Sequence, residues 1–407
     1  MVTGQDPTVQ VKYVDTAEGG LWVTWRWQDA LDEPRLWGVP PPLPALDAWR
    51  RAVPRPSDGE PVRDALRRSW AVLGDVEQET ALTGALTAAL VPPRLGAELE
   101  HRFAQGLRPH VRVQASPALA AVPWEALRID DSERLVHRCD VSVLLPASIR
   151  RSPARVPSPV RPGGPVVATV DPVVPGGVAG LEPVLRRAEP LVEAVLARHG
   201  DRLRGAPAEA PVRPRTSRTQ LREHLADAAR YLYVGHVTAG AYALGTGLHL
   251  TDGPEAAGRA PLVDGVHRPL LAADIALDGW TAPARVALVG CSSGADTAYA
   301  DPTGLVAAFT ARGAEHVTAT RWTLPTDTGL EVIAGVTGID AFARAVVAVD
   351  AAHEAADPVA ALNAWQREQA DAWERTGEAA FSPIVWAAFG TAWNDRGLPL
   401  EPLEVPG

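Results

Sequence analysis

Two short apolar runs decide how this chain folds: residues 231–236 read YLYVGH, and residues 285–291 read RVALVGC. Each has the length and the β-branched or aromatic content of a buried strand. Each also ends in glycine followed by a chemically versatile residue, His236 or Cys291. Because ligands of an open parallel sheet bind beyond the carboxyl ends of its strands, we expect both residues at one functional edge.

Strand and helix patterns alternate on both sides of these runs. Residues 166–170 form a continuous apolar run that ends at Asp171, and residues 317–320 and 384–389 are further strand candidates. Amphipathic segments with helix-start signals, such as Ser217 followed by Gln220, separate them. Apolar strands between helices predict an α/β fold with a mostly parallel sheet covered by helices on both faces.

The chain is predicted to have three regions. Residues 1–60 form a small mixed, tryptophan-rich N-terminal extension, with a hairpin of strands over 9–14 and 21–27. We interpret it as a packing extension, with a partner-docking module as the alternative. Residues 61–150 begin with helices and continue with short strands, and residues 165–395 form the main α/β region.

Composition limits the kinds of partner. The 407 residues carry 39 basic and 49 acidic side chains, a net charge of -10 at pH 7. This balance disfavours nucleic acid as a partner and disfavours an acidic membrane surface. The start of the chain does not resemble a secretory signal, and no apolar run is as long as a membrane helix. With only two cysteines, we expect a cytoplasmic protein without a disulfide framework.

The chemistry of a cysteine–histidine pair fits the two strand ends. A thiol is mostly protonated at neutral pH and needs a neighbouring base, and an imidazole can accept that proton and later protonate a leaving amine. Cys291 follows His236 by 55 positions, close to the roughly 50 residues found in caspase-type peptidases. We expect Cys139 to be a packing residue. No histidine and cysteine spacing indicates a metal site, and this chemistry needs no cofactor.

The same turn also allows a serine hydrolase. Residues 290–294 read GCSSG, which fits the G-x-S-x-G nucleophile elbow with Ser292 as nucleophile. The acid and the histidine would then follow in the chain, as Asp327 or Asp340 with His353.

Six ordered segments together resemble the CHAT domain, a caspase- and separase-like cysteine peptidase family, over roughly residues 90–395. They are VPWEAL (122–127), Asp171-Pro172, the segment ending in His236, residues 287–294, residues 304–323 and residues 382–389. The resemblance implies a caspase-like fold, His236 as general base and Cys291 as nucleophile. It also implies that the backbone N–H groups of Val237 and Cys291 form the oxyanion hole.

Two segments depart from the family pattern. Val237 stands where the family usually has glycine, and the turn reads Gly-Cys-Ser-Ser-Gly rather than Ala-Cys-Glu-Thr-Gly. A catalytically silent interaction module therefore stays open as an alternative. Val289, two positions before Cys291, is apolar and so provides no carboxylate there that would bind a basic side chain of the substrate. We expect Asp171 and Ser292 to line the site, although Asp171 before proline also suits a simple turn.

The resemblance implies a cytoplasmic cysteine endopeptidase that cleaves a protein substrate without a cofactor. It further implies activation by a partner protein and a place in a bacterial defence or cell-death system.

Overall fold

The computed structural model describes residues 6–41, 43–57, 59–178, 180–185, 190–205, 212–238, 240, 242–291 and 303–394. In this part of the chain the strands are β1 (Thr8–Asp15), β2 (Leu21–Trp27), β3 (Arg35–Val39), β4 (His110–Gln114), β5 (Asp140–Val143), β6 (Val166–Val170), β7 (Leu203–Arg204), β8 (Arg230–Thr238), β9 (Gly247–Leu248), β10 (Leu270–Leu271), β11 (Arg285–Cys291), β12 (His316–Thr320) and β13 (Phe389–Trp393).

The α-helices are α1 (Pro44–Ala52), α2 (Val62–Leu73), α3 (Val76–Leu90), α4 (Pro93–Ala104), α5 (Leu135–Arg138), α6 (Ala147–Arg150), α7 (Pro190–His199), α8 (Arg218–Leu225), α9 (Ala272–Leu277), α10 (Thr303–Ala311), α11 (Asp327–Ala334), α12 (Ala341–Glu354), α13 (Pro358–Thr376) and α14 (Pro383–Trp386). Short 3-10 turns include Pro117–Leu119, Trp124–Ala126 and Ala243–Gly245.

One large sheet runs through the molecule in the order β10-β9-β8-β11-β12-β13-β5-β4-β1-β2-β3, with β6 also paired to β8 and β7 to β6. Strands β6, β8, β11 and β12 are mutually parallel, as predicted. β13 is antiparallel to β12. The predicted tryptophan-rich hairpin is β1 with β2, and β1 is parallel to β4, so the N-terminal residues extend the same sheet.

Helices cover both faces of the parallel strands, as the continuous apolar runs predict. Along β8, Leu232 and Val234 pack into a core that also contains Val349 of α12. The alternate residues Tyr231 and Tyr233 pack into a second core with Phe309 of α10. Since successive side chains of a strand point to opposite faces, β8 has no solvated side along this stretch.

The helix-start signals of the sequence are confirmed. The Ser217 hydroxyl accepts a hydrogen bond from the Gln220 N–H, and the Gln220 side chain accepts one from the Ser217 N–H at 3.0 Å. Asp357 accepts N–H bonds from the first turn of α13, where proline occupies the first position. Among the helices of the described ranges, none is long and apolar enough to cross a membrane.

A buried ion pair joins the first half of the chain to the strands that carry the candidate site. Glu125, in the turn after β4, is 0% exposed, and Arg321, directly after β12, is 5% exposed. The guanidinium contacts both carboxylate oxygens at 2.7 Å. Arg321 also donates to the carbonyl of Phe389 at the start of β13 at 2.8 Å. The pair therefore fixes where β12 ends and β13 begins relative to the turn at 124–126.

Removing one partner leaves the other charge buried and uncompensated. We expect Glu125→Ala to lower the free energy of unfolding by about 3–5 kcal/mol, measured by denaturant titration. The exposed pair Asp47–Arg50 is the control, and Asp47→Ala should cost only about 0.2–1 kcal/mol. Equal losses for the two variants would contradict a structural role for the buried pair.

Candidate active site

The two residues singled out by the sequence meet at the ends of neighbouring strands. β8 and β11 are parallel and in register over seven residue pairs, from Arg230 with Arg285 to His236 with Cys291. The prediction that the two lie on adjacent strands is confirmed for the backbone. The side chain of Cys291 and residues 292–302, which include the predicted Ser292, lie outside the described residues.

A backbone carbonyl holds the His236 ring. The side chain is 5% exposed, and its Nε2 lies 2.6 Å from the carbonyl oxygen of Glu182. Because a carbonyl can only accept, Nε2 carries the proton of this bond. In the neutral ring, Nδ1 is then the nitrogen that can take a proton, which is the state a general base needs.

The peptide that follows the ring is also anchored. The carbonyl of His236 accepts a hydrogen bond from the Tyr233 hydroxyl at 2.6 Å and one from the His249 N–H at 3.2 Å. His249 directly follows β9, so the His236 carbonyl points toward β9. In a trans peptide the C=O and the next N–H point in opposite directions, so the N–H of Val237 faces β11.

Two of the departures from the family pattern, Val237 and Gly290, compensate each other sterically. A Cβ built on Gly290 would lie 3.0 Å from Cγ2 of Val237 and 3.3 Å from Oγ1 of Thr320. A side chain at position 290, diagonal to Val237 across the two strands, would therefore crowd the larger residue on β8. This explains why the residue before Cys291 is glycine rather than alanine.

A chain of buried imidazoles lies beside the site, and sequence reasoning missed it. His249 and His267 are both 0% exposed. His267 Nδ1 donates to the Asp252 carbonyl at 2.8 Å, and its Nε2 lies 3.0 Å from His249 Nδ1. His249 Nε2 lies 3.1 Å from the hydroxyl of Thr238. Burial lowers the pKa of both rings, that of His249 to well below its usual value, so this chain is neutral and fixes the β8–β9 hairpin. No spacing in the sequence marks two isolated histidines as partners.

Asp171 lies beside the site, at the end of β6, in a left-handed conformation with φ 51°. Its carboxylate accepts N–H bonds from Val184 at 2.8 Å and Leu185 at 3.4 Å, and contacts Nε of Arg213 at 3.1 Å. The carboxylate predicted to line a substrate pocket is thus engaged by the protein itself.

The structure separates the acids and the histidine that a serine hydrolase would need. Asp327 accepts N–H bonds from Phe342 and Ala343 at the start of α12, where Asp340 also lies, whereas His353 is near the end of this helix. At 1.5 Å per residue the two ends are about 18 Å apart. His353 is also buried, with Nε2 2.7 Å from the Thr318 hydroxyl. The interpretation of Asp327 or Asp340 with His353 as an acid–histidine pair was wrong, because the two acid side chains lie at the start of α12 and His353 lies near its other end, against β12.

A cavity of about 600 Å³ opens at the same sheet edge. At one end it is lined by Ala319 of β12 and by Arg321, which directly follows β12. From there it extends to the ends of β5, β4 and β1. Its lining is mostly apolar and aromatic, including Tyr13, Trp124 and Val306. The sequence does not predict it, because its walls come from segments far apart in the chain.

Comparison with known proteins places the chain in a family. A family model of the CHAT domain matches residues 80–394. Comparison with curated proteins found no significant match. Two solved structures of the separase–securin complex from Saccharomyces cerevisiae, at 3.0 and 2.6 Å resolution, are similar with TM-scores of 0.53 and 0.50 and 10% sequence identity. Each similarity covers 95% of this chain and 30% of the matched chain, so this chain spans less than a third of that chain's length. The predicted caspase-like, mostly parallel fold is confirmed.

The remaining cysteine provides a test of the packing. Cys139 is 0% exposed, and burial raises the pKa of its thiol. We expect iodoacetamide at neutral pH to leave Cys139 unmodified in the folded protein and to modify it after unfolding in guanidinium, as read by peptide mass spectrometry. Rapid alkylation of Cys139 in the folded protein would contradict the buried placement.

Proposed function

Because the chain belongs to the CHAT domain family, we propose that it is a cysteine endopeptidase that cleaves a protein substrate with His236 and Cys291. The observation that carries the proposal is the register that pairs these two residues at the carboxyl ends of β8 and β11. Parallel strand ends are where open α/β sheets bind their ligands.

In the proposed reaction, Nδ1 of His236 accepts the proton of the Cys291 thiol. The thiolate then attacks the carbonyl carbon of the scissile peptide, and the oxyanion that forms is stabilised by the N–H groups of Val237 and Cys291. The imidazolium returns its proton to the leaving amine, and water hydrolyses the thioester in a second half-reaction. Ser292, next to the nucleophile, would contact the substrate. The Glu182 carbonyl supports this sequence because it stabilises the imidazolium through Nε2.

The apolar cavity suits the flanking part of a peptide substrate. Its nearest wall belongs to β12, the strand next to Cys291, and its volume accommodates one or two large apolar side chains. We place an apolar substrate residue there, several positions from the scissile bond.

We propose that the protein acts in the cytoplasm, is switched on by a partner protein, and serves a bacterial defence or cell-death system. A protein partner is compatible with the similar structures, which are complexes of separase with securin. These statements follow from the family resemblance.

The nucleophile can be tested without knowing the substrate. The wild-type protein, Cys291→Ala and the control Cys139→Ala are incubated with extract of the source cells, which supplies both substrates and any activating partner. New protein N-termini are then identified by mass spectrometry. We expect them with wild type and with Cys139→Ala, and a loss of at least about 10³-fold in cleavage rate with Cys291→Ala. Cleavage that persists in Cys291→Ala would refute the proposal, and no cleavage by wild type would favour the silent interaction module.

The cavity offers a separate test. Ala120 lines it and is half-buried, whereas Ala118, two positions earlier in the same turn, does not line it. We expect Ala120→Trp to raise KM for a cleaved peptide by about tenfold, because a lost apolar contact is worth about 1–3 kcal/mol. Ala118→Trp should leave KM unchanged. A large fall in kcat for Ala120→Trp, without a change in KM, would speak against this placement of the substrate.

A further inference from the structure

We propose that Asp171 and Arg213 are positioning residues of this site: together they hold residues 182–185 so that the Glu182 carbonyl keeps the His236 ring in its reactive orientation. This inference rests on the proposed function of His236. It gives Asp171 a role other than the substrate contact expected from the sequence.

The Glu182 carbonyl needs an external anchor. It lies 2.6 Å from His236 Nε2, yet residues 181–185 belong to no helix or strand. A carbonyl in such a segment is held only by the contacts that its neighbours make. Two and three positions later, the N–H groups of Val184 and Leu185 donate to the Asp171 carboxylate. The segment that covers the ring is thereby fixed at a point close to the ring contact.

Asp171 is itself fixed to the strand that carries the histidine. Its backbone N–H donates to the carbonyl of Val234, two residues before His236, at 2.7 Å. The carboxylate is 4% exposed, so its position is set by packing and hydrogen bonds and not by solvent. The link from Asp171 to the ring is therefore attached to β8 at both ends, at Val234 through the Asp171 N–H and at His236 through the Glu182 carbonyl.

Arg213 completes what we call the clamp, which is the set of contacts that Asp171 and Arg213 make with residues 184 and 185. Its guanidinium also balances the charge of the Asp171 carboxylate. Its Nε lies 3.1 Å from the Asp171 carboxylate, and its Nη2 donates to the Leu185 carbonyl at 3.0 Å. Its backbone N–H donates to the carbonyl of Val170, the last residue of β6, at 2.9 Å. The Arg213 guanidinium thus binds both the Asp171 carboxylate and the segment at Leu185 that this carboxylate also contacts.

Backbone strain is concentrated at this clamp. Of the non-glycine residues in the described ranges, three have positive φ, and two of these are Asp171 at 51° and Arg213 at 61°. A left-handed conformation is unfavourable for arginine and is tolerated somewhat better by aspartate, and surrounding contacts hold both residues in it. Two strained residues in direct contact beside His236 indicate that the clamp is built for a defined geometry.

The clamp acts on the protonation of the site. The Glu182 carbonyl accepts the Nε2 proton and so stabilises the imidazolium that must accompany the thiolate. Without it, the imidazole holds its proton less firmly, fewer thiols are ionised near neutral pH, and thiolate formation moves to higher pH, toward the ordinary pKa of a free thiol. His249, whose ring centroid is 6.4 Å from that of His236, is neutral because burial lowers its pKa well below the usual value. Titration of His249 therefore does not mask the effect.

The test measures the rate at which iodoacetamide alkylates Cys291 between pH 5 and pH 9, in a Cys139→Ala background where Cys291 is the single thiol. We expect Asp171→Ala to move the midpoint of this profile to higher pH by about one unit, and to slow alkylation about tenfold on the acidic side. Arg213→Ala should shift it in the same direction. Asp171→Asn keeps an oxygen for the Val184 N–H, so it should shift the profile less than Asp171→Ala does.

Asp327 provides a matched control. It is also 4% exposed, and it likewise accepts two consecutive backbone N–H groups, at 2.7 and 3.3 Å, but at α12. Asp327→Ala should reduce stability to denaturant as Asp171→Ala does, and leave the alkylation profile unchanged. If Asp171→Asn, Asp171→Ala and Arg213→Ala all keep the wild-type profile, the inference is overturned.

His236→Ala separates this outcome from a failure of the proposed function. If it removes the rapid alkylation while the clamp variants do not change it, only the clamp is refuted. If His236→Ala itself alkylates like the wild type, the proposed cysteine–histidine pair fails.

Discussion

The register between β8 and β11 is the constraint on which the rest of this protein depends. Seven consecutive residue pairs align the two strands, so that one-residue slippage would separate His236 from Cys291 and exchange every buried side chain between two cores. Leu232 and Val234 occupy one core while Tyr231 and Tyr233 occupy the other, so both faces resist such a slip. The chemistry at the strand ends is placed by packing along their whole length.

Polar groups then set the details that apolar packing leaves open. The Glu125–Arg321 pair joins a turn of the first half to the strands beside the site. The Asp171–Arg213 pair holds the segment whose carbonyl contacts His236. A buried pair such as Glu125–Arg321 adds little net stability compared with apolar packing, and in the second pair only Asp171 is buried while Arg213 is partly exposed. Their shared role here is geometric.

Neighbouring strands also explain a departure that looks damaging in the sequence alone. Val237 replaces a glycine of the CHAT pattern, and Gly290 replaces an alanine on the facing strand. The space freed at Gly290 is the space that Cγ2 of Val237 approaches. Glycine at position 290 therefore leaves room for the larger side chain at position 237.

The sequence by itself determined most of the strand runs, the helix caps, the parallel sheet and the candidate pair His236 and Cys291, because periodicity and end signals are local properties of the chain. Its strand over residues 384–389 was wrong, because Pro383–Trp386 form α14 and β13 begins only at Phe389. It could not place Asp171 against Arg213, or His249 against His267, and it paired Asp327 or Asp340 with His353 where the fold separates them. Contacts between distant segments depend on how loops outside the regular elements pack, and no local pattern encodes that. The tertiary structure alone decided which polar groups surround the histidine, since Glu182 and His249 reach it from other segments of the chain.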